Sequence, residues 1–367
     1  MIVAYDLRYA ADHFTGIGTH AYALLEALLE LPGDERYAVL WHPRLRNRRY
    51  DVRALASHPR VDWHERAIDP IQPWGVLQVG AWVRSVRADV YLSPFYLRPV
   101  GSGCPSLLTI HDVWPLRLPE GLSWLKGQLY RASLMHARGA RFIVTSSQFS
   151  QREIASLLRL PADRVRAIRL GVPPPTAEAE PRRPARLPDG PFALVVGDNR
   201  PRKNLAVLAR AWAGFGASPP LGLVAAGPVD DRFPSLAQLA QSSGAHGVTE
   251  LGWVEEPELA WLYRNATAVL FPSRYEGFGF PLVEAFVRGT PAVAADIPVL
   301  HEIGDGVAQF VDPDRPDAWM QEVGRLASDP RERSRLAEVG RNRARELPYR
   351  GTAERTLALL REAAGCR

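Results

Sequence analysis

The sequence predicts an α/β protein built of two doubly wound domains, each a parallel sheet covered by helices. Three observations predict it. Short β-branched runs alternate with longer helical patterns, a proline- and charge-rich stretch divides that alternation into halves, and 367 residues exceed what one core fills, since single cores stop growing near about 250–300 residues.

The elements follow in order. MIVAYDL (1–7) leads to THAYALLEALLEL (19–31), and RFIVTSS (141–147) to QREIASLLRL (151–160). In the second half PFALVVGD (191–198) leads to LAVLARAWAGF (205–215), LGLVAAG (221–227) to SLAQLAQSS (235–243), and AVLFPS (268–273) to PLVEAFVRG (281–289), before PAVAAD (291–296). Each first member is apolar on both faces, as a parallel strand between two helix layers must be, and each second member repeats its apolar positions with the helical period. The stretch PPPTAEAEPRRPARLPDGP (173–191) is poor in large apolar residues and reads as a linker. The expected organisation is therefore a domain over 1–172, the linker 173–191, a second domain over 192–348, and a helical tail, 349–367, packing back on the first domain.

Composition excludes several classes. No window approaches the roughly 18 unbroken apolar residues of a membrane span, and the N-terminus lacks a charged leader before an apolar run, so the expected location is cytoplasmic, at most peripheral to the inner face of a membrane. Cys104 and Cys366 have no metal or disulfide spacing. The net charge is +5, and its basic excess lies in the first half, where RLRNRRYDVR (44–53), Arg60 and Arg66 could meet an anionic membrane surface or an anionic acceptor. No nucleic-acid-binding motif accompanies that charge, so nucleic acid is not an expected partner.

In open α/β sheets ligands bind beyond the carboxyl ends of the strands, and four stretches there carry candidate chemistry. FTGIGTHAYALLEAL (14–28) sets Gly16 and Gly18 before a helix, where bare backbone lets an anion approach the helix N-terminus; the spacing is not that of a nicotinamide site. LLTIHDVWPLRLPE (107–120) places His111 and Asp112 after an apolar strand, within reach of a substrate hydroxyl, with Asp112 orienting the histidine or meeting the acceptor. Neither belongs to a metal-ligand array. ALVVGDNRPRKNLAVLARAW (193–212) presents Arg202 and Lys203 at a helix start, an anion site without Walker spacing. Lys203 is one of only two lysines, the other being Lys126.

RYEGFGFPLVEAFVRG (274–289) is the most specific. Glu276 and Glu284 stand eight apart, with Pro281 suited to the first helical position, Glu284 then falling in the first turn, and Gly289 suited to the position after the helix end. Between the glutamates, Gly277 and Gly279 forgo side chains in a loop that must approach something closely.

Taken in this order, TGIGT, IHD, GDNRPRKN and EGFGFPLVE resemble the retaining GT-B glycosyltransferases of family four, the group one type, over nearly the whole chain. TIHDVWPLRLPE together with the PRKN loop is similar to mannosyltransferase-like members that use GDP-mannose. The resemblance implies two Rossmann-like domains facing a cleft, a nucleotide-sugar donor, a glycan, lipid-linked or small-molecule acceptor, and no cofactor or metal. It implies that Glu276 contacts the transferred sugar, that backbone groups of Gly277, Phe278 and Gly279 bind its hydroxyls, and that Glu284 accepts from the ribose. Arg202 and Lys203 then hold the diphosphate, Val254 falls where the base binds through backbone groups, His111 lies near the reacting sugar, and Gly16 and Gly18 admit the phosphates. Catalytic roles fall on His111, Glu276 and Lys203. The loop reads DNR at 198–200 where many relatives carry TLE, which leaves the role of Arg200 open. The same architecture could serve a nucleotide-sugar epimerase, or a transferase using a UDP- or dTDP-sugar.

Overall fold

A computed structural model of the chain describes residues 1–72, 74–118, 123–172 and 180–365, with Thr15 described by its backbone only. The chain divides into two units, Met1–Thr176 with Pro348–Arg367, and Ala177–Leu347. The first unit holds seven strands: β1 (Ile2–Asp6), β2 (Arg36–Trp41), β3 (Val61–Glu65), β4 (Val90–Ser93), β5 (Ser106–Thr109), β6 (Phe142–Thr145) and β7 (Val165–Ala167). All pair in parallel, in the order β3-β2-β1-β4-β5-β6-β7.

Burial explains why these stretches are strands. Val3, Tyr5 and Leu92 pack in one layer with the helix Thr15–Glu30, while Ala4, Tyr91 and Leu108 pack in the opposite layer with Val79, Trp82 and Val83 of the helix Gly75–Ser85. Both faces are dry, as the continuous apolar runs require. The helix Tyr349–Ala364 completes the first layer with Ala353, Leu357, Leu360 and Ala363 at helical spacing. Gly171 lies against it so closely that a Cβ would meet the Tyr349 backbone at 2.5 Å.

The second unit repeats the pattern with β8 (Phe192–Val196), β9 (Gly222–Ala226), β10 (Val248–Gly252), β11 (Ala268–Phe271), β12 (Ala292–Ala295) and β13 (Gln309–Val311), ordered β10-β9-β8-β11-β12-β13 and parallel throughout. Both sheets thus run outward in two directions from a central pair, β1 with β4 and β8 with β11. Loops leaving the carboxyl ends of such a pair turn to opposite sides and open a crevice.

Three local expectations change. The helix after β1 begins at Thr15, so Gly16 and Gly18 lie inside its first turn rather than ahead of it. The N–H at Gly16 is one of those that a helix start leaves without a partner inside the helix, while the Gly18 N–H donates to the Phe14 carbonyl. The helix after β11 runs Phe280–Arg288, which makes Glu284 its fifth residue and puts it beyond the first turn. Of the stretch read as a linker, 173–179 lie outside the described residues, and 180–191 pack on the second unit. There Leu187 is buried, the Arg182 N–H donates to the Pro257 carbonyl at 3.1 Å, and the Arg183 guanidinium lies 6.0 Å from the Trp261 ring centre. Cys104 is half-buried and in no disulfide among the described residues, and Cys366 lies outside them.

Candidate active site

The central break of the second sheet gathers the sequence-predicted cations and the first glutamate. After β8 the chain passes Gly197 and forms a short 3-10 turn, Pro201–Lys203, ended by Asn204 in the left-handed conformation at φ 55°. The Asn204 amide donates to the carbonyls of Pro272 (3.1 Å) and Pro313 (2.7 Å), and the Arg274 N–H donates to the Arg202 carbonyl at 2.9 Å. These bonds fasten the loop after β8 to the loops after β11 and β13. Farther back, the Asn199 amide donates to the Phe233 carbonyl at 2.9 Å while its oxygen accepts from the Asp230 N–H at 2.7 Å.

On this framework Lys203 Nζ donates to Glu276 Oε1 at 2.7 Å and Arg202 Nη1 donates to the same oxygen at 3.1 Å. Lys203 Nζ also lies 5.1 Å from the Phe271 ring centre. Glu276 is only 8% exposed. Burial by itself would push its carboxyl up, but Lys203 and then Arg202 outweigh that and hold it below the usual carboxylate range, so it is ionised at neutral pH. Two cations converge on one carboxylate oxygen in a nearly dry crevice, where such side chains can meet an anion and neutralise charge developing on it. Arg200 lies apart from this cluster, 3.6 Å from Asp198 and 3.9 Å from Asp230.

Glu284 accepts a 2.6 Å hydrogen bond from the Tyr263 hydroxyl, which fixes its rotamer from the helix Glu256–Asn265. Burial, and next the Glu284 charge, push the Tyr263 phenol well up, so it remains a donor. Val254 is half-buried just ahead of that helix. Phe278 is buried with its ring edge-on to Phe280 at 5.3 Å. Gly279 has φ 126°, and a Cβ there would stand 2.9 Å from Leu300 and 3.3 Å from Phe271. The fold itself therefore demands a glycine at 279, a reason separate from the ligand contact for which the sequence offered it.

In the first unit His111 follows β5 and is half-buried, its Nε2 3.1 Å from the Pro94 carbonyl. A carbonyl can only accept, so Nε2 carries the proton and Nδ1 keeps its lone pair. Burial lowers the His111 pKa to about 4, leaving a neutral ring at neutral pH. Asp112 is engaged locally: its Oδ1 accepts from the Trp114 N–H at 3.2 Å, and its carbonyl accepts from the Tyr130 hydroxyl at 3.2 Å. Gly18 is held in a close approach, since a Cβ there would lie 2.9 Å from the Tyr9 carbonyl and 3.2 Å from the Tyr50 hydroxyl.

Two arrangements escaped the sequence reading. His20 is 2% exposed, its ring meets His111 edge-to-face at 5.2 Å, and its Nδ1 lies 2.7 Å from the Tyr349 hydroxyl. Its Nε2 has no partner among the described residues, and burial followed by the His111 charge lowers its pKa well below the ordinary value. At the central break of the first sheet, Arg8 donates from Nε to Asp6 Oδ1 at 2.8 Å and from Nη2 to Oδ2 at 2.6 Å, while the Tyr91 hydroxyl donates to Oδ2 at 2.8 Å. His20 and Tyr349 are 329 positions apart, and no local pattern announces their contact. The Asp6–Arg8 spacing did carry a signal, a charge pair at the carboxyl end of an apolar strand.

Among the described residues no three His, Cys, Asp or Glu side chains converge as metal ligands, and no helix is long and apolar enough to cross a membrane.

Comparison with known proteins gives consistent likenesses for both units. Residues 14–176 match the family described as Glycosyltransferase Family 4, and residues 177–343 match that described as Glycosyl transferases group 1. The chain is 28% identical over 291 residues to the O-antigen chain mannosyltransferase B of Escherichia coli, spanning 76% of this chain and 75% of that protein. It is 29% identical over 318 residues to the D-inositol 3-phosphate glycosyltransferase of Thermobispora bispora, spanning 79% and 74%. Among solved structures, the sucrose-phosphate synthase of Thermosynechococcus elongatus superposes over 100% of both chains with a TM-score of 0.72 at 19% identity, a likeness of fold.

Proposed function

The chain belongs to the group 1 glycosyltransferases, and we propose that it moves a hexose, mannose from GDP-mannose first among the candidates, to a hydroxyl of a glycan or lipid-linked acceptor with retention of configuration. The observation that carries this reading is the joint grip of Arg202 and Lys203 on the Glu276 carboxylate at the β8–β11 break.

In this reading the bond from the anomeric carbon to the diphosphate oxygen breaks, and a bond from the acceptor oxygen forms on the same face. The hydroxyl proton passes to the departing phosphate oxygen. Arg202 and Lys203 bind the diphosphate and neutralise the charge it gains, which lowers the barrier most where water is excluded. Glu276 faces the sugar as it becomes cationic. Glu284, oriented by Tyr263, accepts from the ribose, and backbone groups at Val254 take the base. The bare Nδ1 of His111 accepts from a sugar hydroxyl, and Gly16 and Gly18 give the phosphates room. Two cations replace the divalent metal other transferases use, so activity survives EDTA.

A panel of GDP-mannose, UDP-glucose, UDP-N-acetylglucosamine and dTDP-rhamnose, scored by protection against thermal unfolding, tests the donor. Protection by GDP-mannose alone supports mannose transfer, and protection by a UDP- or dTDP-sugar alone replaces it. Loss of turnover in EDTA with recovery in Mg²⁺ or Mn²⁺ would remove the metal-free assignment.

A further inference from the structure

An ordinary surface helix turns charge toward water and apolar side chains toward the core. The helix Trp124–Ala137 departs from this. Its core side is made by Leu134 and Ala137, both buried, with Gly127 and Tyr130 half-buried on the same side. Its opposite side presents Trp124, Leu125, Leu129 and Met135 to solvent, at 77%, 60%, 54% and 49% exposure. At 100° per residue these four fall in one arc, which also holds exposed Gln128, Ala132 and His136, while Lys126 and Arg131 fall at its two borders. The sequence WLKGQLYRASLMHA contains no acidic residue.

We propose that this helix lies flat on an anionic lipid bilayer, its apolar arc among the headgroups and acyl chains, with Lys126 and Arg131 reaching lipid phosphates on either side. An apolar arc with cationic borders is the pattern that partitions into a membrane interface, where long basic side chains extend to the headgroups while aromatic and aliphatic groups sink. Fourteen residues make a rod of about 21 Å, which rests on a bilayer without crossing it. The arginine run 44–53, offered by the sequence for this purpose, is partly consumed within the fold. Arg48 bonds to Asp12 at 2.9 Å, and Arg49 lies 5.2 Å from the Tyr50 ring centre.

The surface bears on the acceptor. Tyr130, on the core side of the same helix, donates to the Asp112 carbonyl beside His111, so a bilayer under this helix lies next to the loop that carries the acceptor-side candidates. Resting on the glycosyltransferase reading, the inference narrows the acceptor class to a hydroxyl borne by an amphiphile anchored in the membrane.

The full chain is sedimented with phosphatidylcholine vesicles containing about a third phosphatidylglycerol, and with phosphatidylcholine alone, at low and at physiological salt. The expected result is binding to the anionic vesicles that weakens with salt. The W124S/L125S/L129S variant loses binding on the order of tenfold or more, and K126Q/R131Q loses about fivefold per cation on anionic vesicles. Both variants keep the wild-type melting temperature. Equal sedimentation of wild type and the triple variant overturns the proposal, as does no sedimentation on anionic vesicles. A wild-type dimer that the triple variant abolishes, without vesicle binding, overturns it in favour of a second copy as the occupant. Nucleoside-diphosphate protection against unfolding is measured on the same samples. Vesicle binding without it leaves the surface standing and the transferase reading fallen; nucleotide protection without vesicle binding does the reverse.

Discussion

The two sheets share one strand order and treat its central break in opposite ways. Between β1 and β4 the chain fills the break itself: Asp6 and Arg8 are fully or almost fully buried, one charge cancels one charge, and Tyr91 and the Ile68 carbonyl take further hydrogen-bonding positions. Between β8 and β11 two cations converge on a single carboxylate oxygen. Topology provides a crevice in both units; the first holds a one-to-one bidentate pair, the second two cations gathered on one carboxylate.

The largest expected effect tests the sealed side. Asp6→Ala leaves the Arg8 guanidinium charged and dry, a change that costs about 3–5 kcal/mol for a buried pair, read as an earlier urea transition of the first unit. Glu276→Gln, the matching change in the second unit, should leave the fold cooperative and nucleoside-diphosphate affinity undiminished while lowering kcat, because it removes negative charge near a sugar that becomes cationic. If Glu276→Gln unfolded the protein as readily as Asp6→Ala, the contrast between the breaks would be lost.

Next in size, Lys203→Ala should weaken nucleoside-diphosphate binding by about 1.5–3 kcal/mol, the range for a hydrogen bond to a charged group, measured by calorimetric titration. Unchanged affinity would move the anion site elsewhere.

Acid separates the units by mechanism. His20 and His111 have folded pKa values lowered by burial, His111 to about 4, against about 6.5 in an unfolded chain. The unfolded state therefore takes up protons that the folded state refuses, and first-unit stability falls as pH drops from about 6.5 toward 4, by about 1.4 kcal/mol per pH unit for each histidine. Glu276 has the same sign in a lower window: its lowered pKa contributes stability above about 4.3, lost only as pH falls further. Urea midpoints of the two transitions between pH 7 and pH 4 check this, and coincident shifts would refute it.

The smallest effect is a control. Arg274 pairs with Asp314 at 2.6 Å, but both are about half exposed or more, so Arg274→Ala should change stability by under about 1 kcal/mol in thermal melts.

How much of this could be read from the sequence divides along the same line. The fold class follows from alternating apolar periods, and PFALVVGD with LAVLARAWAGF marks β8 and the helix after it closely. Arg202 and Lys203 are contiguous and Glu276 lies in a short loop motif, so their meeting could be expected from two strand ends of one sheet. Glu284 was displaced from the first turn by the one-residue difference between a helix starting at Phe280 and one starting at Pro281. Gly279 has a second reason that the sequence did not show: its φ of 126° and its need for room beside Leu300 are set by the fold around it. His20 with Tyr349, and the apolar outer arc of the helix Trp124–Ala137, were beyond reach for the same reason. Periodicity says that a residue is apolar or periodic, not which side of its helix the rest of the protein will cover.

The contribution of Tyr349–Ala364 to the first unit carries a consequence for biosynthesis. Val172 pairs with Pro348 in a short parallel bridge, so residues 177–347 are spliced into the first unit as an excursion that leaves and returns at one place. A ribosome delivers that excursion whole before it delivers the helix whose Ala353, Leu357 and Leu360 close the first core. The middle of the chain can mature while the beginning still waits, and the nascent protein must shelter an unfinished apolar face of the first unit until the helix Tyr349–Ala364 arrives.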